Sequence, residues 1–260
     1  MSRGPCGEIT IGVERGGRNY TLKVQRVPLA STDLSYGTED LPGPAFQLLS
    51  PQVAYLKISS AKASQVANYI KQAEGTKGLI IDIRNYPSEA VASLGSHLVN
   101  HVTPFARYTI GDLSNPGAFH WSPPVSLTPS QPHYKGKIVI LVDAITQSAA
   151  EFDSMAFRAA PGAIVVGSTT AGADGDISTI PLPGGVTTYI SGIGVFYPDK
   201  QSTQRAGIVP DVVVRPTIAS IRAGRDLVLE KAIRLILGPE VSSTQIQKMY
   251  RNLPSQASSH

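Results

Sequence analysis

The sequence predicts an α/β domain built on a largely parallel β-sheet, and three observations carry that prediction. Apolar runs such as KIVILVD (137–143) are continuous, as expected of strands covered on both faces. These runs alternate with segments of helical period, the pattern of strands joined by crossover helices. The composition supports a real core: 42% of the 260 residues are hydrophobic and only 16% are charged, so disorder is excluded. That length accommodates one large domain or two small ones.

The elements follow in order. EITIGVER (8–15) and NYTLKVQRV (19–27) alternate apolar and polar residues around Gly16 and Gly17, which predicts a β-hairpin. A Pro/Gly/Ser/Asp-rich stretch from Pro28 to Pro44 reads as a linker. VAYLKIS (53–59) is a strand, 61–74 a helix ending at Gly75, GLIIDIR (78–84) a buried strand, and 88–100 a helix opened by Ser88 after Pro87. KIVILVD is the next strand, with a helix over 147–159, and AIVVGS (163–168) another strand. The Gly- and Thr-rich stretch after Ser168 reads as loops and a hairpin, and DVVVRP (211–216) as a strand ended by Pro216. RDLVLEKAIRLILG (225–238) is an amphipathic helix closed by Gly238 and Pro239, followed by a short helix from Val241 and a frayed SQASSH tail. The expected division is therefore 1–27, a linker 28–44, a core domain 45–240, and a C-terminal helix and tail 241–260.

Charge and cysteine content exclude several function classes. A net charge of +4 without a basic cluster gives no case for nucleic acid. One cysteine, Cys6, rules out an internal disulfide framework and a multi-cysteine metal site. No apolar run is long enough to predict a membrane span, and MSRGPCGEIT holds no apolar signal core. The chain opens in mid-pattern. GSTTAGADGD has neither the P-loop lysine nor the G-x-G-x-x-G spacing of a nucleotide loop, and no cofactor is expected.

The chemistry concentrates at TQSAAEF (146–152). Ser148 stands where the KIVILVD strand gives way to a helix. A helix N-terminus aims unpaired N–H groups and partial positive charge outward, which suits a nucleophile and its developing oxyanion. The same pattern, Ser148 with Glu151 three residues on, is also a capping box. Pattern alone leaves both readings open.

The order of motifs adds to this. RGPCGEITIGVERGGRNYTLKVQR (3–26) resembles the last strands of a PDZ domain, YLKIS a core-opening strand, and GLIIDIRNYPS a strand and turn. TQSAAEF resembles a nucleophile turn, VVGSTTAG a strand and Gly-rich loop, and GIVPDVVV (207–214) a closing motif. In that order, over about residues 52–237, they resemble the C-terminal-processing, or tail-specific, serine peptidases. The resemblance implies a ClpP/crotonase-like core after a PDZ remnant, Ser148 as nucleophile, and an oxyanion hole from the amides of Ala149 and Ser88. It further implies a protein or peptide substrate, a periplasmic or extracellular parent protein, and leaves homo-oligomer formation open.

One departure from the family pattern matters most. The family's general base is a lysine in a Gly-Lys-Gly turn; here the stretch is GADGD (172–176), and no lysine occurs between Lys137 and Lys200. Three replacements stand: a histidine, with His120 first among His97, His101, His120 and His133; an aspartate, Asp174 or Asp176; or no base at all. His97 and His101 also have the i, i+4 spacing of metal ligands, but no third ligand accompanies them. In the Pro87-Ser88-Glu89 turn the family's glycines are replaced, and Glu89 sets a negative charge near the expected hole. The alternative function is therefore a non-catalytic, peptide-binding pseudo-peptidase of the same fold. An acyl-CoA enzyme of the crotonase type would share the fold without explaining a serine at this turn.

Overall fold

A computed structural model describes residues 5–28, 31 and 40–251. The chain divides into two compact units, Met1–Thr38 and Glu39–His260. Most of the expected linker (29–30 and 32–39) and the SQASSH tail lie outside the described residues.

The first unit is a hairpin of β1 (Gly7–Arg15) and β2 (Arg18–Arg26), antiparallel through the Gly16-Gly17 turn. Both glycines have positive φ (62° and 74°), the combination a tight two-residue hairpin turn requires. Its register pairs Ile9 with Val24, Ile11 with Leu22 and Val13 with Tyr20. Side chains alternate across a strand, so these six residues share one face.

The second unit is built on a six-stranded sheet. Its strands are β3 (Phe46–Ser50), β4 (Val53–Lys57), β5 (Gly78–Asp82), β9 (Lys137–Val142), β10 (Ile164–Gly167) and β14 (Val212–Val213), adjacent in that order. All neighbours pair in parallel except β3 with β4. α1 (Val66–Ala73), α2 (Val91–Ser96) and α3 (Ala149–Arg158) lie along the chain between these strands; α4 (Ile218–Arg222), α5 (Leu227–Leu237) and α6 (Ser243–Arg251) follow them. A smaller antiparallel sheet joins β6 (Thr103–Gly111), β7 (Phe119–Trp121), β8 (Val125–Leu127) and β13 (Val195–Phe196). β11 (Ile177–Leu182) and β12 (Val186–Ser191) make a separate hairpin.

The central strands send alternate residues into two cores. Ile138, Ile140 and Val142 join Leu94, Met155 and Phe157 on one face; Val139 and Leu141 join Leu229, Ile233 and Ile246 on the other. This is the arrangement the continuous apolar runs predict. At the end of β10, Gly167 (φ 142°) passes so close to β9 that a Cβ there would sit 1.8 Å from the carbonyl oxygen of Val142.

Several elements differ from expectation for local reasons. The helix expected over 88–100 is reduced to α2, because Ser88 does not cap it. The Ser88 amide donates to the Ile58 carbonyl (3.1 Å) and its hydroxyl to the Ala61 carbonyl (2.6 Å). The 61–74 helix starts as a single 3-10 turn, Ala63–Gln65, before α1. DVVVRP supplies only the two-residue edge strand β14, flanked by Pro210 and Pro216, which have no N–H to donate. β3 and the strands β6–β8 were not expected; β6 carries Pro104 and a register shift between Pro104 and Ala106, which blur its period. Among the described residues no helix is long and apolar enough to cross a membrane.

A buried ionic cluster fastens α5 to the sheet. The Arg84 guanidinium, 2% exposed, donates to Asp82 (2.6 and 2.9 Å) and pairs with Asp226 (2.8 Å). Asp226 is also the N-cap of α5, accepting from the amides of Val228 (3.1 Å) and Leu229 (2.9 Å). The Tyr55 hydroxyl donates to Asp82 at 2.8 Å, and burial together with the Asp82 charge pushes that hydroxyl well above its ordinary range. Removing one partner of such a cluster leaves buried charge uncompensated. Arg84→Ala is expected to lower the unfolding free energy by about 3–5 kcal/mol, read as a fall in the urea midpoint.

Candidate active site

Ser148 sits just beyond the C-terminal end of the central strand β9, at the first turn of α3. The turn is built by Asp143, whose carboxylate accepts from the amides of Ile145 (3.0 Å) and Thr146 (2.9 Å). The Asp143 amide in turn donates to the Thr146 hydroxyl at 3.0 Å. Side chains of this kind replace backbone partners in tight turns. The outcome is an unusual backbone at Ser148, with φ 56° and ψ −126°. A non-glycine residue there costs about 1–3 kcal/mol and persists only where its surroundings enforce it.

Enforcement comes chiefly from Glu151, fully buried one turn into α3. Its carboxylate accepts from the amides of Ser148 (3.3 Å), Gly172 (2.8 Å) and Ala173 (2.8 Å) and from the Thr170 hydroxyl. Of the expected capping box, this glutamate half closes as a hydrogen bond; the serine side chain faces the box but makes no cap hydrogen bond. The loop after β10 is also tied to the turn by Ala171 N–H to the Thr146 carbonyl at 3.0 Å. The GIVPDVVV segment completes the latch, since the Ile208 amide donates to the Thr170 hydroxyl at 2.7 Å.

A cleft of about 460 Å³ opens over the turn, lined by Ser148, Ala149, Phe152, Tyr86, Tyr108 and Asp174. Gly175, Asp176, Ile193 and Val195 complete it. Tyr108 and Val195 are partners across β6 and β13, and the Tyr108 ring stacks on Phe152 at 5.7 Å. Asp174 is 3% exposed; its carboxylate accepts from the Thr203 hydroxyl (2.9 Å) and the Gly175 amide (2.8 Å). Burial pushes this carboxyl up to about 6; the two hydrogen bonds work against the shift and Glu151 adds to it. Burial and the neighbouring Asp174 charge push Asp153 up to about 7.

The structure thus brings Ser148, Ala149, Asp174 and Asp176 together and separates them from the other candidates. His120 lies on β7, exposed, its Nε2 3.2 Å from Asp112, and does not line the cleft. The Ser88 amide donates to the Ile58 carbonyl, and Ser88 is not among the residues lining the cleft. His97 donates to the Pro132 carbonyl at 2.6 Å, and His101 contacts Asn100. No cluster of three potential metal ligands occurs among the described residues. Lys200 stands over the Trp121 ring, 5.1 Å from its centre. Sequence reasoning missed Tyr86, Tyr108 and Phe152, and saw in Glu151 only a cap. The one available signal for Glu151 was its place on the helix face that also carries Met155, the core-facing side.

Glu151→Ala removes the acceptor for several buried donors at once, each worth about 1–3 kcal/mol when left unpaired. Loss of about 3 kcal/mol or more of stability is expected in chemical denaturation. Ser148→Gly relieves the strained backbone and is expected to raise stability by about 1 kcal/mol in the same assay.

Comparison with known proteins bears on this geometry. The fold is similar to that of mature CPAF complexed with lactacystin, at 15% identity and a TM-score of 0.69 over 96% of this chain and 70% of that one. It is also similar to a candidate peptidase from Parabacteroides merdae, at 24% identity and a TM-score of 0.67 over 78% and 67% of the two chains. A lipoprotein from Streptococcus agalactiae follows at 18% identity, with a TM-score of 0.50 over 76% and 70%. At such identities the likeness establishes a shared fold. No curated protein matches the chain. Residues 52–214, which run from β4 through the Ser148 turn to β14, match peptidase family S41. That match spans more than half of the chain, and the chain belongs to peptidase family S41.

Proposed function

We propose that this chain is a serine peptidase in which Ser148 is the nucleophile and Asp174 the general base. The observation that carries the reading is the strained, uncapped Ser148 at a helix N-terminus, on the floor of a cleft whose wall holds a carboxyl poised near 6. No lysine or histidine lines that cleft, so an aspartate takes the role the family gives to lysine. Its raised pKa suits the task, because a base is most effective when its pKa lies near the working pH.

The Ser148 oxygen bonds to the carbonyl carbon of a peptide while its proton passes to Asp174. The carbonyl oxygen becomes an oxyanion facing the amide of Ala149 at the positive end of α3. Collapse breaks the C–N bond, and the leaving amine takes the proton from Asp174. Water then repeats the sequence on the ester and frees Ser148. Tyr86 lines the cleft on the turn after β5.

The competing reading, peptide binding without turnover, draws support from the same missing lysine and from the engagement of both Asp174 oxygens. A fluorophosphonate probe separates them. Labelling of wild type that disappears in Ser148→Ala supports the peptidase; absence of labelling supports the binding module. In the peptidase, Ser148→Ala is expected to lower kcat by at least about 10⁴-fold and Asp174→Asn by about 10²–10⁴-fold. The base must be ionised to act. Burial raises its pKa most, the Thr203 and Gly175 donors lower it, and the Glu151 charge raises it. The rate is therefore expected to fall as pH drops through about 6.

A further inference from the structure

Beside the Ser148 cleft lies a second cavity, of about 300 Å³, between α2, β6, β8 and α3. Phe152 is a wall of both cavities. Its ring is wedged between Phe105 (5.1 Å, edge to face) and Tyr108 (5.7 Å, stacked), so the partition is fixed. The walls of the second cavity are largely apolar and buried, among them Val91, Phe105, Leu127 and Ala156. The volume is at the low end for ligand pockets and fits one long side chain rather than a stretch of peptide.

One group in this cavity is out of place. Asp153 lines it, next to Phe152 on α3, and makes no hydrogen bond or ion pair among the described residues. The other charge that bears on it is Asp174, also negative. Among the described residues, no lysine or arginine acts on this carboxyl. A half-buried carboxyl with only a like charge for company is costly, and an apolar occupant would strip its remaining water and raise that cost. A cationic occupant with an apolar stem would do the reverse. Lysine and arginine have that build: a methylene stem that packs on apolar walls and a charged head that seeks a carboxylate.

We propose that this cavity is a specificity subsite for a lysine or arginine side chain of the peptide cut at Ser148, with Asp153 as its anchor. The proposal rests on the peptidase reading for its place in the reaction. Its physical content, capture of a cationic side chain by Asp153, is measurable without turnover. Pairing with the cation favours the ionised carboxylate, so capture weakens as pH falls and Asp153 holds its proton more fully.

The test uses short acetylated peptides in which one lysine is moved along the sequence, matched to peptides with norleucine at the same place. Norleucine keeps the stem and omits the charge. Binding to Ser148→Ala is measured by calorimetry, and kcat/KM is measured on the wild type. At one position, lysine is expected to exceed norleucine by about tenfold or more in both measurements. Asp153→Asn is expected to bring the lysine-to-norleucine ratio, taken within the variant, to about one in binding and in kcat/KM, and to leave binding of norleucine peptides unaffected. Asp153→Asn removes a strained charge, so its melting temperature should not fall; Asp153→Ser is a second variant with the same expectation. If peptides are cut but lysine carries no advantage at any position, or its advantage survives both variants, the subsite is overturned and the peptidase reading stands. If lysine peptides bind in an Asp153-dependent way and nothing is cut, the subsite stands and the peptidase reading falls. If no peptide binds with an Asp153-dependent preference, the subsite is overturned whatever the fate of turnover.

Discussion

The carboxylate of Glu151 is the constraint on which the site depends. It is wholly removed from water and faces donors from two chain segments, the start of α3 and the loop after β10. A buried carboxylate survives only if its lone pairs are used, and here they are used largely by the backbone of the Ser148 turn and of the loop after β10. The same contacts that satisfy the charge hold Ser148 in its strained conformation and bring Asp174 to the cleft wall. Stability and geometry are therefore set by one group.

This arrangement also accounts for the electrostatic character of the cleft. With Glu151 behind the turn and Asp153, Asp174 and Asp176 around it, the region is acidic within a chain of net positive charge. Burial and the Asp174 charge push Asp153 upward, and burial and the Glu151 charge push Asp174 upward. A site of this kind favours proton acceptance near neutrality, which a carboxylate in water would not provide.

Much of the sheet was legible in the sequence because its signal is local. KIVILVD and GLIIDIR are apolar without interruption, and a strand buried on both faces leaves that trace. The Ser148 turn was legible for the same reason, as an apolar run followed by Thr146, Ser148 and Glu151. What escaped depends on pairing between distant residues. Tyr108 reaches the cleft only because β6 pairs with β13, and nothing near Tyr108 in the chain announces that partner. Ser88 was read as an amide donor from its position in a turn, yet its amide is taken by Ile58, thirty residues back in the chain. His120 was attractive because it precedes the β9 strand, but sequence order does not fix which side of a ribbon a ring occupies. The resemblance to the peptidases pointed to the turn and left the base open, because Ala173 or Asp174 stands where that resemblance implies a lysine.

Gly167 sets a limit on how such a site is able to diversify. Its missing Cβ allows β10 to lie against the Val142 carbonyl, directly beneath the turn that leads to Ser148. Any larger residue would pry those two strands apart and tilt the platform. Evolutionary retuning of this protein is thus channelled away from the floor and into the rim, where a side chain is exchangeable without disturbing the foundation.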